Sequence, residues 1–151
     1  MQNLSDRLQA STLIVADKED ARLYRSLQLN GERVERLDIN DCIDFIKNGK
    51  ADVIVLDCGY RVSTGLSTLR QIKESCPDIL VVFLTDQGSE DVAIHAFTQG
   101  AREYLKKPVN IYDLKRTVER LLSMKRALEL SGSFRSTASN RATASFSCPA
   151  E

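Results

Sequence analysis

The 151-residue chain has 21 lysines and arginines and 21 aspartates and glutamates, so its formal net charge is zero. This balance gives no electrostatic case for nucleic-acid binding by the folded part, and no apolar run approaches the roughly 20 residues that span a bilayer. The four cysteines form no CxxC pair, and the single histidine has no cysteine nearby, which disfavours a zinc site. We expect a cytoplasmic globular protein, because residues 1–11 are polar and lack a signal-peptide core.

Short apolar runs alternate with helical patterns between residues 12 and 130. The apolar runs predict buried strands at residues 12–15, 34–37, 53–56, 79–84 and 103–105. Apolar residues at helical spacing predict helices over residues 21–27, 38–48, 66–73, 89–100 and from Asn110 onwards. Ser89 and Asn110 are expected to cap the last two helices, and residues 58–64 are expected to form a loop.

Strict alternation of strands and helices predicts the fold class. It implies an α/β protein with a doubly wound, five-stranded parallel sheet and five helices, a flavodoxin-like (βα)5 arrangement. The middle strands are continuous apolar runs, as a sheet covered by helices on both faces requires.

The composition changes after residue 130. Residues 131–151 are rich in serine, threonine, alanine and arginine, with Phe134 and Phe146 as the only large apolar groups. Such a segment buries too little apolar surface to offset its ordering entropy. We therefore expect residues 12–130 to form one domain, residues 1–11 to be an N-terminal polar segment, and residues 131–151 to be a disordered tail or a linker.

Four polar residues follow predicted strands directly. They are Asp17 after the first strand, Asp57 after the third, Thr85 after the fourth and Lys107 after the fifth. Ligands of open parallel sheets bind at the carboxyl ends of the strands, so these side chains are expected to converge there. Each alone is more often a turn, a cap or a surface residue. It is their joint placement that indicates a site.

The combination has a chemical logic. Two neighbouring carboxylates can hold Mg²⁺, which prefers oxygen ligands, and an exposed aspartate can accept a phosphoryl group as an aspartyl phosphate. Lys107 could pair with a phosphate oxygen as a point charge, and Thr85 could donate a hydrogen bond to another oxygen. The set therefore indicates phosphoryl chemistry at Asp57.

Three segments resemble the receiver domains of bacterial two-component response regulators. Asp-Val-Ile-Val-Leu-Asp at residues 52–57, with Gly65 eight residues later, is similar to the acceptor strand of that family. Val-Val-Phe-Leu-Thr at residues 81–85 resembles the strand that ends in the switch hydroxyl. Gly-Ala-Arg-Glu-Tyr-Leu-Lys-Lys-Pro at residues 100–108 resembles the most diagnostic segment. The resemblance as a whole covers about residues 12–124.

The resemblance implies a role for each matching residue. Asp57 would be the phosphoacceptor and Asp17 a ligand of Mg²⁺, and Gly59 would offer its backbone carbonyl to the same metal. Thr85 would be the switch hydroxyl, and Lys107 the partner of the phosphate. The implied switch aromatic is Tyr104, for which a half-buried core residue is the other interpretation.

Two departures from the family pattern stand beside the resemblance. We align Ala16 with the first residue of the usual acidic pair and Asp17 with the second, whereas a shift of one residue would put Lys18 at the second position. The segment Cys58-Gly59-Tyr60-Arg61 replaces the usual Met-Pro after the acceptor. Both bear on metal affinity and on the rigidity of the loop.

The implied function is a phosphorylation switch that is not an enzyme. Its phosphoryl group would come from a sensor histidine kinase or a phosphotransfer protein. The fourth and fifth predicted helices would present the changing surface, where mixed charges would also suit a homodimer. These charged residues are Arg102, Glu103, Lys115, Arg116 and Glu119. Nucleic acid would be reached only through an output domain outside this sequence, and no membrane is expected.

Two other functions remain open at this point. The first is a degenerate receiver that acts as an interaction module without phosphorylation, which Ala16 and the altered loop would support. The second is a small flavodoxin-like enzyme. This is disfavoured because no glycine-rich phosphate loop follows the first strand.

Overall fold

The computed structural model describes residues 11–16, 24, 27, 33–48 and 51–134. Asp17 and most of the first predicted helix lie outside these residues, as do residues 1–10 and 135–151. The predicted domain boundaries therefore stay predictions.

The described strands form one parallel sheet. Its strands are β1 (Ser11–Val15), β2 (Arg33–Leu37), β3 (Val53–Asp57), β4 (Leu80–Thr85) and β5 (Glu103–Lys106). They lie in the order β2-β1-β3-β4-β5, and each neighbouring pair is parallel. This order reverses direction at β1, which places a crevice between the carboxyl ends of β1 and β3. The predicted doubly wound α/β fold is confirmed.

Four α-helices are described beside the sheet. A short 3₁₀ helix, Ile39–Asp41, leads into α1 (Cys42–Asn48), and the others are α2 (Val62–Ser75), α3 (Glu90–Thr98) and α4 (Ile111–Phe134). In the prediction, α3 and α4 are the fourth and fifth helices. The predicted caps are present, because Ser89 accepts the amide of Val92 and Asn110 accepts the amide of Tyr112.

The core lies on both faces of the sheet. Side chains of β3 are buried along the whole strand, and alternate residues enter two separate clusters, with Ile54 and Leu56 in one and Val53 and Val55 in the other. A strand covered on both faces needs an unbroken apolar run, which explains the sequence that precedes Asp57. This packing fixes the position of the strand end.

The turn after α3 is fixed by a glycine. Gly100 has a φ of 107°, and its amide donates to the carbonyl of Phe97, while the amide of Ala101 donates to the carbonyl of Ala96. These two bonds form a Schellman motif, which ends a helix and requires a residue that tolerates positive φ. The motif directs the chain into β5, and β5 delivers Lys107 to the site.

Two helices differ from their predicted bounds. α2 begins at Val62, so the prediction of a loop through residue 64 is wrong. Gly65 lies in the first turn of this helix, where its amide donates to the carbonyl of Arg61, and its lack of a side chain lets the helix start close to Cys58 and Phe83. α4 continues to Phe134, four residues past the point where the composition changes.

The close approach at Gly65 yields a stability prediction. A Cβ atom there would collide with the Cβ of Cys58 and lie 3.2 Å from Cε2 of Phe83. Helix propensity alone favours alanine by up to about 1 kcal/mol. Overpacking typically costs about 1–3 kcal/mol, so we expect Gly65→Ala to lower the free energy of unfolding.

Urea unfolding of the described domain within the full chain measures this effect. Ser67→Ala, an exposed position on the same helix, is the matched control and should be neutral or slightly stabilising. A Gly65→Ala variant as stable as the wild type would show that the backbone of α2 shifts at little cost.

Candidate functional site

The carboxyl edge of the sheet brings three predicted site residues together. Asp57 is the last residue of β3, Thr85 is the last residue of β4, and Lys107 follows β5 directly. Lys107 Nζ lies 2.7 Å from Oδ2 of Asp57. The amide of Lys107 donates to the carbonyl of Thr85 at 2.9 Å, which fixes the start of the lysine side chain beside β4. The Lys107–Pro108 peptide is cis.

The carboxylate of Asp57 is buried and surrounded by donors. Its side chain is inaccessible to solvent, and the side chain of Lys107 is only 8% exposed. Oδ1 accepts the amide of Gly59 at 2.9 Å, and Oδ2 accepts the hydroxyl of Tyr24 at 2.6 Å as well as the ammonium of Lys107. A charge taken out of water needs such partners, because an unpaired buried carboxylate is very costly.

Burial dominates the protonation of this group. Removal from water raises the pKa of Asp57, while the hydrogen bonds from Lys107, Tyr24 and Gly59 and the charge of Lys107 oppose the rise. The nearby Asp86 adds a second carboxylate, with Oδ2 3.4 Å from Lys107 Nζ. One ammonium therefore faces two carboxylates.

Tyr24 is a site residue that the sequence patterns did not reveal. They predicted it only as an apolar position of the first helix. In the structure it is fully buried, belongs to the same core cluster as Ala16 and ends in a hydrogen bond to Asp57. No motif marks it, because a tyrosine at a core position of a helix looks like any other large apolar residue.

The loop after Asp57 turns back onto β4. Gly59 has a φ of 57°, in the left-handed region that favours glycine. Its carbonyl accepts the hydroxyl of Thr85 and the amide of Asp86, both at 2.9 Å. The carbonyl that the resemblance assigns to a metal thus already receives two hydrogen bonds.

The described residues do not fit a divalent metal ion in this arrangement. Both oxygens of Asp57 accept hydrogen bonds, as does the carbonyl of Gly59, and within the described ranges no three acidic, histidine or cysteine side chains cluster as metal ligands. Ala16 has no ligand atom in its side chain, and the remaining predicted ligand, Asp17, lies outside the described residues.

The two predicted switch residues lie on neighbouring strands, where Tyr104 is opposite Phe83 and Thr85 is opposite Lys106. Thr85 is buried, and its hydroxyl donates to Gly59 while accepting the amide of Gln87 at 3.2 Å. Tyr104 is half-buried, and its ring stacks against Phe83 with centroids 6.3 Å apart. The hydroxyl of Tyr104 is buried and has no hydrogen-bond partner among the described residues. Gly88 makes room for it, because a Cβ at Gly88 would collide with that hydroxyl.

Cys58, the neighbour of the acceptor, is a packing residue. It is buried under Gly65, and its thiol donates to the carbonyl of Leu84 at 3.4 Å. Burial raises the pKa of Cys58 to about 11, and the charge of Asp57 acts in the same direction. Since the thiolate is the reactive form, burial disfavours reaction of this thiol at neutral pH.

Two of the charged residues predicted for the face of the fourth and fifth helices, Glu103 and Arg116, make pairs within the chain. Glu103 on β5 accepts a hydrogen bond from Arg120 on α4, and Arg116 pairs with Asp113 one turn away. Most of these side chains are exposed, so each pair contributes little to stability.

None of the described helices is long and apolar enough to span a bilayer.

Comparison with known proteins gives one consistent family. A model described as the response regulator receiver domain matches residues 12–119. The regulatory protein LuxO of Vibrio cholerae is 36% identical over 104 residues, which make up 65% of this chain and 22% of LuxO. This chain therefore corresponds to about a fifth of that relative.

Two solved structures extend the comparison. A signal receiver domain from Vibrio parahaemolyticus is 27% identical with a TM-score of 0.73, covering 82% of this chain and 97% of the other. A response regulator from Burkholderia pseudomallei, solved with a phosphorylated aspartic acid, a calcium ion and citrate, is 25% identical with a TM-score of 0.64. That match covers 80% of this chain and 73% of the other.

The buried carboxylate makes a testable contribution to the pH dependence of stability. The pKa of Asp57 is 3.8 in the unfolded reference and higher in the fold, so the unfolded state loses its proton first as pH rises. Stability that Asp57 contributes below pH 3.8 is then lost as pH rises towards the folded pKa. The asparagine of Asp57→Asn does not titrate in this way. Over this interval we therefore expect the free energy of unfolding of Asp57→Asn to rise relative to that of the wild type.

Urea unfolding at a series of pH values tests this sign. The change with pH, rather than the absolute difference, isolates the titration of Asp57 from other effects of the substitution. Asp78→Asn, an exposed position, is the matched control and should follow the wild type. A wild type that gains stability over Asp57→Asn with rising pH would mean that Lys107 outweighs burial.

Proposed function

Because the chain belongs to the response regulator receiver family, we propose that it accepts a phosphoryl group on Asp57. The donor is a phosphohistidine of a sensor histidine kinase or phosphotransfer protein in the cytoplasm. The observation that carries the proposal is the contact between Lys107 and the buried carboxylate of Asp57 at the carboxyl edge of the sheet. Receiver domains are signalling modules rather than typical enzymes, and the proposed output is a change in binding.

The transfer is a displacement at phosphorus. A carboxylate oxygen of Asp57 forms a bond to phosphorus while the bond between phosphorus and the histidine nitrogen of the donor breaks. The electron pair of that bond returns to the imidazole, which takes up a proton. Since little covalent chemistry falls to the receiver, its residues act by positioning and by stabilising charge.

Two groups of the chain are placed for this task. Lys107, already within 2.7 Å of Asp57, would pair with an oxygen of the new phosphoryl group, whose negative charge replaces that of the carboxylate. The amide of Gly59 holds Oδ1 and would keep the acyl group oriented during the transfer. A phosphorylated aspartate in the similar Burkholderia protein supports this assignment.

Receiver domains generally bind Mg²⁺ at the phosphorylation site. In this chain the available ligands would be Asp17, Asp57 and the carbonyl of Gly59. The last two would have to give up hydrogen bonds that they make in the described arrangement. When bound, the ion would neutralise charge on the phosphoryl group.

Thr85 and Tyr104 are the proposed switch. The hydroxyl of Thr85 has one proton and donates it to Gly59, so it cannot at the same time donate to a phosphoryl oxygen. Its move would break the bond that holds the loop and would alter the space beside Tyr104 on the neighbouring strand. Phosphorylation then shifts an equilibrium between two states of this edge of the sheet, one with Thr85 bonded to Gly59 and one with Thr85 bonded to the phosphoryl group.

The partner surface of the switch would be the face of α3, β5 and α4. Ile94 and Phe97 on α3 are at least half exposed there, and Glu103 and Arg116 add charge of both signs. A homodimer through this face would exchange the pairs within the chain for pairs between chains. Contact with nucleic acid would require an output domain outside this sequence.

A degenerate receiver is the second candidate function. Two observations favour it: Tyr24, Lys107 and Gly59 all donate to Asp57, and the described residues form no metal site. Under this function the fold binds a partner without being phosphorylated.

Phosphorylation of the purified chain separates the two functions. With phosphoramidate and Mg²⁺ at neutral pH, we expect the intact mass to increase by one phosphoryl group. The increase should be absent in Asp57→Ala and unchanged in Asp78→Asn, because Asp78 is an exposed aspartate far along the chain from the site.

Circular dichroism of each variant serves as the folding control. A wild type that stays unmodified under conditions that modify an ordinary receiver would contradict the phosphoacceptor function and favour the degenerate one. Modification that persists in Asp57→Ala would place the acceptor elsewhere.

A further inference from the structure

We propose that Tyr24 acts as a gate on the acceptor: its hydroxyl competes with a divalent cation for the carboxylate of Asp57. The inference rests on the proposed function, because it concerns the same site. It explains why the described residues hold an acceptor aspartate without forming a metal site.

The lone pairs of Asp57 are nearly all in use. A carboxylate has about four acceptor positions, two on each oxygen. Lys107 and Tyr24 occupy Oδ2, and the amide of Gly59 occupies one position of Oδ1. One position is left. That position lies on Oδ1, so a cation that binds through Oδ2 has to displace Tyr24 or Lys107.

Tyr24 is the donor that can leave. The amide of Gly59 belongs to the main chain two residues after Asp57, and Lys107 Nζ pairs with both Asp57 and Asp86. Lys107 also carries the charge that a phosphoryl group needs. Tyr24 brings no charge, so its hydroxyl can give up Oδ2 without leaving a buried cation unpaired.

The hydrogen bond of Tyr24 is strong enough to matter. An O–H donor 2.6 Å from a buried carboxylate has the length of a charge-assisted hydrogen bond. Ala16, which the resemblance aligns with the first acid of the family, has no ligand atom in its side chain and belongs to the same core cluster as Tyr24. Part of the charge compensation that a cation would provide is thus supplied by a neutral hydroxyl.

Calorimetric titration of the full chain with Mg²⁺ tests the gate. We expect Tyr24→Phe to bind Mg²⁺ about tenfold or more tightly than the wild type, the factor that one hydrogen bond to a charged group is worth. Tyr112→Phe removes the hydroxyl of an exposed tyrosine on α4 and should bind as the wild type does. Thermal unfolding shows whether each variant is folded.

A second measurement needs no variant. In the wild type, saturation with Mg²⁺ should shift the ring NMR signals of Tyr24, because its hydroxyl loses Asp57, while the signals of Tyr112 stay in place. Unchanged signals of Tyr24, or a Tyr24→Phe variant that binds Mg²⁺ no more tightly than the wild type, would overturn the gate.

These outcomes are separate from those of the proposed function. A wild type that accepts a phosphoryl group on Asp57 while Tyr24→Phe leaves Mg²⁺ affinity unchanged would refute the gate alone. If the wild type is never phosphorylated but Tyr24→Phe binds Mg²⁺ more tightly than the wild type, the phosphoacceptor function is refuted and the gate is retained.

Discussion

The ion pair between Asp57 and Lys107 is the constraint on which the rest of the site depends. A carboxylate without solvent contact at the end of β3 has to be neutralised or hydrogen-bonded on every side. Such a pair adds little net stability, because desolvation offsets the attraction, whereas loss of one partner costs on the order of 3–5 kcal/mol. The charge of Asp57 is therefore balanced only by the groups that contact it. A change in that charge alters the interactions of each of these groups.

Each balancing group belongs to a different part of the fold. Gly59 belongs to the loop after β3, Lys107 follows β5, and Tyr24 comes from the chain between β1 and β2. Thr85 links the loop to β4 through the carbonyl of Gly59. The parallel topology is what makes this possible, since it gathers the carboxyl ends of strands that are far apart in sequence. A local change of charge thus reaches β4, β5 and the loop without any long-range rearrangement.

The sequence predicted those features that depend on periodicity and on strand ends. The five apolar runs located the strands, and the rule that ligands bind at carboxyl ends located Asp57, Thr85 and Lys107. It did not predict the early start of α2, because the helix begins there through a close approach to Cys58 and Phe83 that only Gly65 permits. It also missed Tyr24, whose hydroxyl becomes a site group only after the fold carries it to Asp57. The hydrogen bonds of the Gly59 carbonyl are likewise a property of the loop conformation and not of any residue pattern.

The length of α4 has a geometric consequence. The helix continues to Phe134, whereas the family match ends at residue 119, and at 1.5 Å per residue the extra stretch is about 22 Å long. Leu128 and Leu130 are exposed along this stretch. A helix of this length resists bending far more than an irregular segment does. A small rotation of α4 against the sheet would therefore displace Phe134 by several ångströms, because the displacement grows with distance along a rigid helix.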